Sequence, residues 1–182
     1  MRKLIAAMNM TLDGFCDHTA GIADDELHEH YNDLLRSGDA LIYGRITYQL
    51  MESYWPLVVK EPTGNKPEDD FAVLIDNFQK IVYSRTLKDV TWKNSELKSE
   101  INKEELIELR NKTGKDLLVG SPSLIAQLTN LKLIDEYQLC IQPIILGKGL
   151  ILFKNITDRI DLKLTKTKAF KSGAVVHYYK PA

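Results

Sequence analysis

The chain has 182 residues and a mass of 20.8 kDa, with 44% hydrophobic and 27% charged residues. That is the composition and size of one ordinary globular domain, so residues 1–182 are expected to form a single domain, neither disordered nor membrane-spanning. A net charge of −1 argues against a general nucleic-acid binder, and no apolar run is long enough to cross a bilayer or serve as a signal-peptide core, so a cytoplasmic protein is expected. Cys16 and Cys140 stand far apart with no second cysteine near either, which argues against a disulfide framework and a cysteine-based zinc site.

Taken in chain order, the apolar pattern alternates strands with helices. Strands are expected at Lys3–Met8, Ala40–Tyr43, Lys80–Ser84, Asp116–Val119 and Asp135–Pro143, and helices at Asp24–Ser37, Arg45–Tyr54, Lys103–Lys112 and Ser121–Asn130. Asn102 with Glu105 three residues on has the form of a capping box, and Gly114 stands where the following helix end favours a left-handed residue. The segment Pro56 to Asp76, with Pro56, Pro62, Gly64 and Pro67, reads as a long surface loop. Beyond Pro143 two β-rich stretches, Asp161–Thr167 and Gly173–Tyr179, follow without a helix between them. The fold class is therefore α/β: a mostly parallel central sheet with helices on both faces and an antiparallel C-terminal strand pair.

Two strand-to-helix junctions carry the chemistry. Ala40-Leu41-Ile42-Tyr43-Gly44-Arg45-Ile46-Thr47 and Leu117-Leu118-Val119-Gly120-Ser121-Pro122 each end an apolar run in glycine and pass directly into a helix. Helix N-termini present unpaired N–H groups and partial positive charge, and glycine admits a ligand close to the backbone, so each junction suits a phosphate. Glycine turning the chain after a strand is the plain alternative. A third strand end, Tyr83-Ser84-Arg85-Thr86, adds a hydroxyl and a guanidinium. Arginine grips phosphate through a planar fork of donors, so Arg45 and Arg85 together would favour a cofactor with an additional monophosphate, NADPH over NADH; as ordinary solvated arginines they would favour neither.

The ordered set Leu4-Ile5-Ala6-Ala7, Thr11-Leu12-Asp13-Gly14-Phe15, Gly44-Arg45-Ile46-Thr47-Tyr48, Val119-Gly120-Ser121, Asp135-Glu136 and Pro143-Ile144-Ile145-Leu146-Gly147-Lys148-Gly149 resembles the dihydrofolate reductase superfamily. Within it, the chain is most similar to the reductase domain at the C-terminal end of the riboflavin-biosynthesis deaminase-reductase. The resemblance covers nearly the whole chain and implies a dihydrofolate-reductase-like fold and an NADPH-dependent oxidoreductase. It implies that Ala7 meets the nicotinamide carboxamide through its backbone. Gly44, Arg45 and Thr47 would bind phosphate and the adenosine side, Ser84 and Arg85 the 2′-phosphate, and Gly120, Ser121 and Leu124 the diphosphate. Thr11, Asp13 and Gly14 would lie in a loop closing over the nicotinamide. It also implies a homodimer.

The proton source is read as Glu26 or Asp13, with helix capping and an Asp-Gly turn as their respective alternatives. Phe78 falls near the position where the superfamily's folate enzymes carry an arginine for the glutamate tail, so folate is not the first choice of substrate. The deaminase's His-x-Glu and Pro-Cys-x-x-Cys signature is missing. His28 and His30 point to nearly opposite sides of a helix and make a poor metal pair, so no metal is expected. Tyr54 and Trp55 could stack on a flat substrate ring or simply belong to the core. The reading is a reductase of a small heterocycle, most nearly 5-amino-6-(5-phosphoribosylamino)uracil. The alternatives are a dihydrofolate reductase proper and a non-catalytic nucleotide-binding scaffold.

Overall fold

The computed structural model describes residues 1–182. Its elements are β1 (Leu4–Thr11), α1 (Asp25–Ser37), β2 (Gly38–Gly44), α2 (Arg45–Lys60), α3 (Lys66–Asn77), β3 (Gln79–Tyr83), β4 (Ser95–Lys98), α4 (Lys103–Asn111), β5 (Asp116–Val119), α5 (Pro122–Asn130), β6 (Glu136–Gln142), β7 (Leu162–Ala169) and β8 (Val175–Pro181). The eight strands follow one another across the sheet as β4-β3-β2-β5-β1-β6-β8-β7. The expected mostly parallel sheet with an antiparallel C-terminal pair is thus the observed one. Two compact units are distinguished, one of Met1–Arg2 and Asp25–Leu118, the other of Lys3–Asp24 and Val119–Ala182.

In the first unit β2, β3 and β4 run parallel, with Gly44 opposite Tyr83 and Tyr83 opposite Lys98. β2 and β3 are near-continuous apolar runs because parallel strands covered on both faces leave no side for water. The helix expected to end at Tyr54 continues to Lys60 and carries Pro56 in its interior. Proline removes one helical hydrogen bond and is a poor interior residue, so the sequence alone argued for a stop there.

The expected loop after Pro56 is corrected in its second half, which folds as α3. Asn65 caps this helix by accepting the Glu68 N–H at 3.1 Å, and Pro67 stands in its first turn, where a missing N–H costs nothing. Asp69 accepts the N–H groups of Thr63 and Gly64 at 2.8 and 3.1 Å and so pins the turn that enters it. The helix packs against α1 and α2. β4 was also unexpected: Ser95–Lys98 is short and polar and pairs with β3 at the sheet edge. The expected cap on α4 is present, with Asn102 Oδ1 accepting the Glu105 N–H at 2.9 Å.

Gly114 serves a different purpose from the expected helix end, since the cap residue of α4 is Lys112. Its φ of +155° excludes most side chains, and an added Cβ would stand 2.6 Å from Asp39 Oδ2 and 3.2 Å from the Arg2 guanidinium. Arg2 is buried, ion-paired with Asp39 and hydrogen-bonded to the Lys115 carbonyl at 2.5 Å. Glycine is there to let the chain pass over this pair.

In the second unit β1 runs parallel to β6, with Ala7 opposite Gln138, and β6, β8 and β7 form an antiparallel series. β8 alternates half-buried Val175, His177 and Tyr179 with buried Val176 and Tyr178, as an antiparallel strand with unlike faces should.

Candidate functional site

In the first unit the parallel register of β2 and β3 brings two expected groups together. Because Gly44 is opposite Tyr83, the segment Gly44-Arg45-Ile46-Thr47 begins level with Ser84-Arg85 at the carboxyl ends of neighbouring strands. Open α/β sheets bind ligands outside such ends. Gly44 is the N-cap of α2 in an extended conformation and offers no side-chain cap, and the first turn of the helix holds no acidic residue. Arg45 is exposed and donates to Gln49 Oε1 at 3.1 Å. Arg85 is exposed and lies 3.7 Å from the equally exposed Glu100. Thr47, the third residue of the helix, is half-buried. Ser84 Oγ accepts the N–H groups of Thr86 and Leu87 at 3.1 and 3.0 Å, so it shapes the turn that presents Arg85.

The second unit repeats the arrangement at α5. Gly120 follows β5, and Ser121 is the extended N-cap without a side-chain cap to the helix. Pro122 begins the helix, and the first turn again holds no acid. Ser121 and Leu124 are buried, so a ligand at this helix start would meet backbone rather than the Leu124 side chain. The other three helices differ. α1 begins with Asp25 and Glu26, α3 with Glu68 and Asp69, and α4 with Glu104 and Glu105; α3 and α4 also carry asparagine caps. Acidic first turns complement the helix dipole from within. Only α2 and α5 leave that complement to something else.

Ala7 is half-buried in the middle of β1, and Thr11 closes the strand, buried. Beyond it the chain turns tightly: Gly14, at φ +89°, donates its N–H to the Thr11 carbonyl at 2.9 Å, and the Thr11 N–H donates to the Phe15 carbonyl at 2.9 Å. Asp13 lies at the tip. Its carboxylate accepts from Thr11 Oγ1 at 2.6 Å, from the Leu146 N–H at 3.1 Å and from the Gly147 N–H at 2.7 Å. These donors, the Thr11 hydroxyl foremost, lower its pKa to about 2. Near neutral pH this group is thus an ionised acceptor engaged by three donors, the Thr11 hydroxyl and the N–H groups of Leu146 and Gly147.

Glu26, the other expected proton source, is exposed in the first turn of α1, while the buried stripe of that helix is Leu27, His30, Leu34 and Leu35. His30 is buried against Tyr31 and His28 faces Phe71, on different sides of the helix. Tyr54 donates to Glu68 Oε1 at 2.6 Å, and Trp55 packs on Phe71 with ring centroids 4.5 Å apart, so both tie α2 to α3. Both cysteines are free, and no group of three or more His, Cys, Asp or Glu side chains is placed to hold a metal ion.

Gln142 was not singled out in the sequence. It is buried at the end of β6, where its Oε1 accepts the Ile22 N–H at 3.3 Å and its Nε2 donates to Asn9 Oδ1 at 3.4 Å. Its one sequence signal was a polar residue closing the apolar stretch Leu139-Cys140-Ile141.

The profile of the RibD C-terminal domain family matches residues 2–176. The chain belongs to the RibD C-terminal domain family. This RibD C-terminal domain is 34% identical to YyaP of Bacillus subtilis, a protein described as uncharacterized, over 98% of its own length and 94% of the relative's. Among solved structures it is similar to a putative riboflavin biosynthesis protein from Shewanella sp. PV-4, with a TM-score of 0.77, 18% identity and 99% of each chain covered. It also matches the Thermotoga maritima diaminohydroxyphosphoribosylaminopyrimidine deaminase / 5-amino-6-(5-phosphoribosylamino)uracil reductase, with a TM-score of 0.68, 17% identity and 57% of that longer chain covered. Enterococcus faecalis dihydrofolate reductase, solved with NADP(H), shares the fold at a TM-score of 0.64 and 13% identity, over 98% of this chain and 96% of that one. The dihydrofolate-reductase-like α/β fold and the riboflavin-reductase family resemblance are thus both established. No helix of this RibD C-terminal domain is long and apolar enough to cross a membrane.

Proposed function

We propose that this RibD C-terminal domain is an NADPH-dependent reductase that delivers hydride to a small heterocyclic substrate of the 5-amino-6-(5-phosphoribosylamino)uracil type. The observation that carries the cofactor assignment is the contrast among helix starts. α2 and α5, each preceded by a glycine at a strand end, lack both side-chain caps and first-turn acids, whereas the other three helices begin with acids. Backbone N–H groups there fit phosphate oxygens. Arg45 and Arg85, at neighbouring strand ends, fit a further monophosphate and support NADPH over NADH.

The cofactor supplies the hydride. In this reading the α2 and α5 starts hold its phosphates, the Ala7 backbone orients the carboxamide, and the turn of Thr11 to Gly14 keeps water from the reacting ring. Glu26 provides the proton, directly or through water, since the Asp13 carboxylate is already engaged by the Thr11 hydroxyl and the Leu146 and Gly147 N–H groups. Dihydrofolate is the less favoured substrate: Phe78 ends α3 as its C-cap and brings no charge for a glutamate tail. A second copy of the chain is the expected partner, for which the outermost strand β7, exposed along nearly its whole length, offers an edge; sedimentation reads its presence directly.

Thermal shift with NADPH and NADH, on the wild type and on Arg45→Ala and Arg85→Ala, tests the proposal. The expected result is stabilisation by NADPH beyond that by NADH, with the excess reduced in both variants. Absence of a shift with either nucleotide rejects the reductase in favour of a scaffold without the cofactor.

A further inference from the structure

The Asp13 carboxylate joins two segments far apart in sequence. On one side Phe15 N–H donates to Thr11 Oγ1 at 3.1 Å, and that hydroxyl in turn donates to Asp13. On the other, the N–H groups of Leu146 and Gly147 converge on the same carboxylate. Backbone bonds flank it, with Leu12 N–H on the Ile144 carbonyl at 2.9 Å and Cys16 N–H on the Leu150 carbonyl at 2.7 Å. Phe15 also bridges to Ile151, and a Cβ on Gly149 would stand 3.2 Å from Phe15 Cβ, so the two segments are in close apposition. Asp13 is itself exposed, so burial does not explain the convergence of donors. Gly147 and Gly149 adopt φ of +80° and +147°, backbone conformations that turn the 146–149 loop toward the carboxylate.

We infer that Asp13 is a positioning residue that locks the Thr11–Phe15 turn to the Leu146–Gly149 loop, so that the two segments act as one rigid cover. The inference rests on the reductase reading only in what the cover lies over; the lock itself is independent of any ligand. A turn held on both sides has fewer conformations to lose when it orders against a ligand, which reduces the entropic cost of a closed, water-free site. The low pKa of Asp13 keeps the lock intact across the physiological range.

Hydrogen exchange on the ligand-free protein tests the lock without reference to activity. Asp13→Asn keeps one oxygen for Thr11 but sets an amide N–H₂ against one of the backbone donors, so exchange at Leu146 and Gly147 and across the Thr11–Phe15 turn should rise about tenfold or more, with β5 unchanged. Thr11→Val should do the same at the turn, and Thr11→Ser, which keeps the hydroxyl, should retain wild-type exchange. Exchange in Asp13→Asn equal to wild type in both segments overturns the inference. In turnover assays, Asp13→Asn should lower kcat with the shape of the pH–rate profile unchanged. Loss of a pH-rate limb would instead mark Asp13 as a proton donor and also overturn it. If NADPH fails to bind the wild type, the reductase reading fails while the exchange result still decides the lock.

Discussion

The Lys80 ammonium stands 4.1 Å above the centre of the Trp92 ring, inside the protein. Lys80 is fully buried and donates to the carbonyls of Asp76, Phe78 and Lys93 at 3.1, 2.9 and 3.2 Å, while Asp76 Oδ1 accepts the Trp92 indole N–H at 2.6 Å. A cation is tolerated there because three carbonyls and a π face replace its water. Burial nevertheless pushes its pKa down to about 8, with nearby Asp76 opposing the shift.

The consequence is a pH dependence of known sign. Between about pH 8 and the ordinary lysine value near 10.4, the unfolded chain binds more protons at this residue than the folded one, so the Lys80 contribution becomes more favourable as pH rises. Below about 8 the full cost of the buried charge is present. Urea unfolding of wild type and Lys80→Met at pH 7.5 and 9.5 should show the stability difference shifting toward the wild type at the higher pH. At pH 7.5 the variant should be less stable by about 1–3 kcal/mol because the carbonyls lose their donor. A difference independent of pH would falsify the assignment.

Adding a carboxylate at the α2 or α5 start should separate stability from ligand binding. Ile46 is exposed in the first turn of α2 and Ser123 in that of α5. Ile46→Glu and Ser123→Asp place negative charge against the helix dipole and should each stabilise the free protein by about 0.3–1 kcal/mol. The same charge would repel a phosphate. NADPH affinity, read by titration calorimetry, should therefore fall in both variants as the unliganded Tm rises; affinity unchanged in both would remove the basis for placing phosphates there.

Gly114→Ala tests the packing over Arg2 and Asp39. The new methyl meets Asp39 Oδ2, which accepts the Lys115 N–H at 2.8 Å while the other carboxylate oxygen is held by Arg2, and the φ of +155° is strained for alanine. A loss of roughly 1–3 kcal/mol is expected in chemical denaturation. The NADPH-induced increment in Tm should be preserved, because Gly114 has no part in the proposed site.

Glu26→Gln addresses the proton source. If the Glu26 carboxyl delivers the proton, kcat should drop by about 10²–10⁴-fold and the pH dependence of turnover should flatten, with NADPH affinity unchanged. Stopped-flow measurement of NADPH oxidation across pH reads both. A variant that keeps wild-type rates assigns Glu26 to the helix start alone.

Local rules made much of this protein legible in its sequence. Continuous apolar runs marked β2, β3 and β5, and Asn102 with Glu105 marked the start of α4, because burial on both faces and capping leave their signature in adjacent residues. The glycine-ended junctions at Gly44 and Gly120 were equally readable, while the contrast between their acid-free first turns and the acidic starts of α1, α3 and α4 emerged only once the helix bounds were fixed. α3 was obscured because Pro56 and Pro67 read as breakers, although one is carried inside α2 and the other opens α3. The role of Asp13 was beyond the sequence altogether. Its donors Leu146 and Gly147 come from a loop more than 130 residues away, and only the fold brings them to the carboxylate. Gln142 and Gly114 are of the same kind: each is defined by partners that chain order does not place beside it, Ile22 and Asn9 for the first and Arg2 and Asp39 for the second. Sequence determines which groups are present and which local structures they favour, and tertiary structure decides which of them meet, because a hydrogen bond is settled over a few ångströms of space.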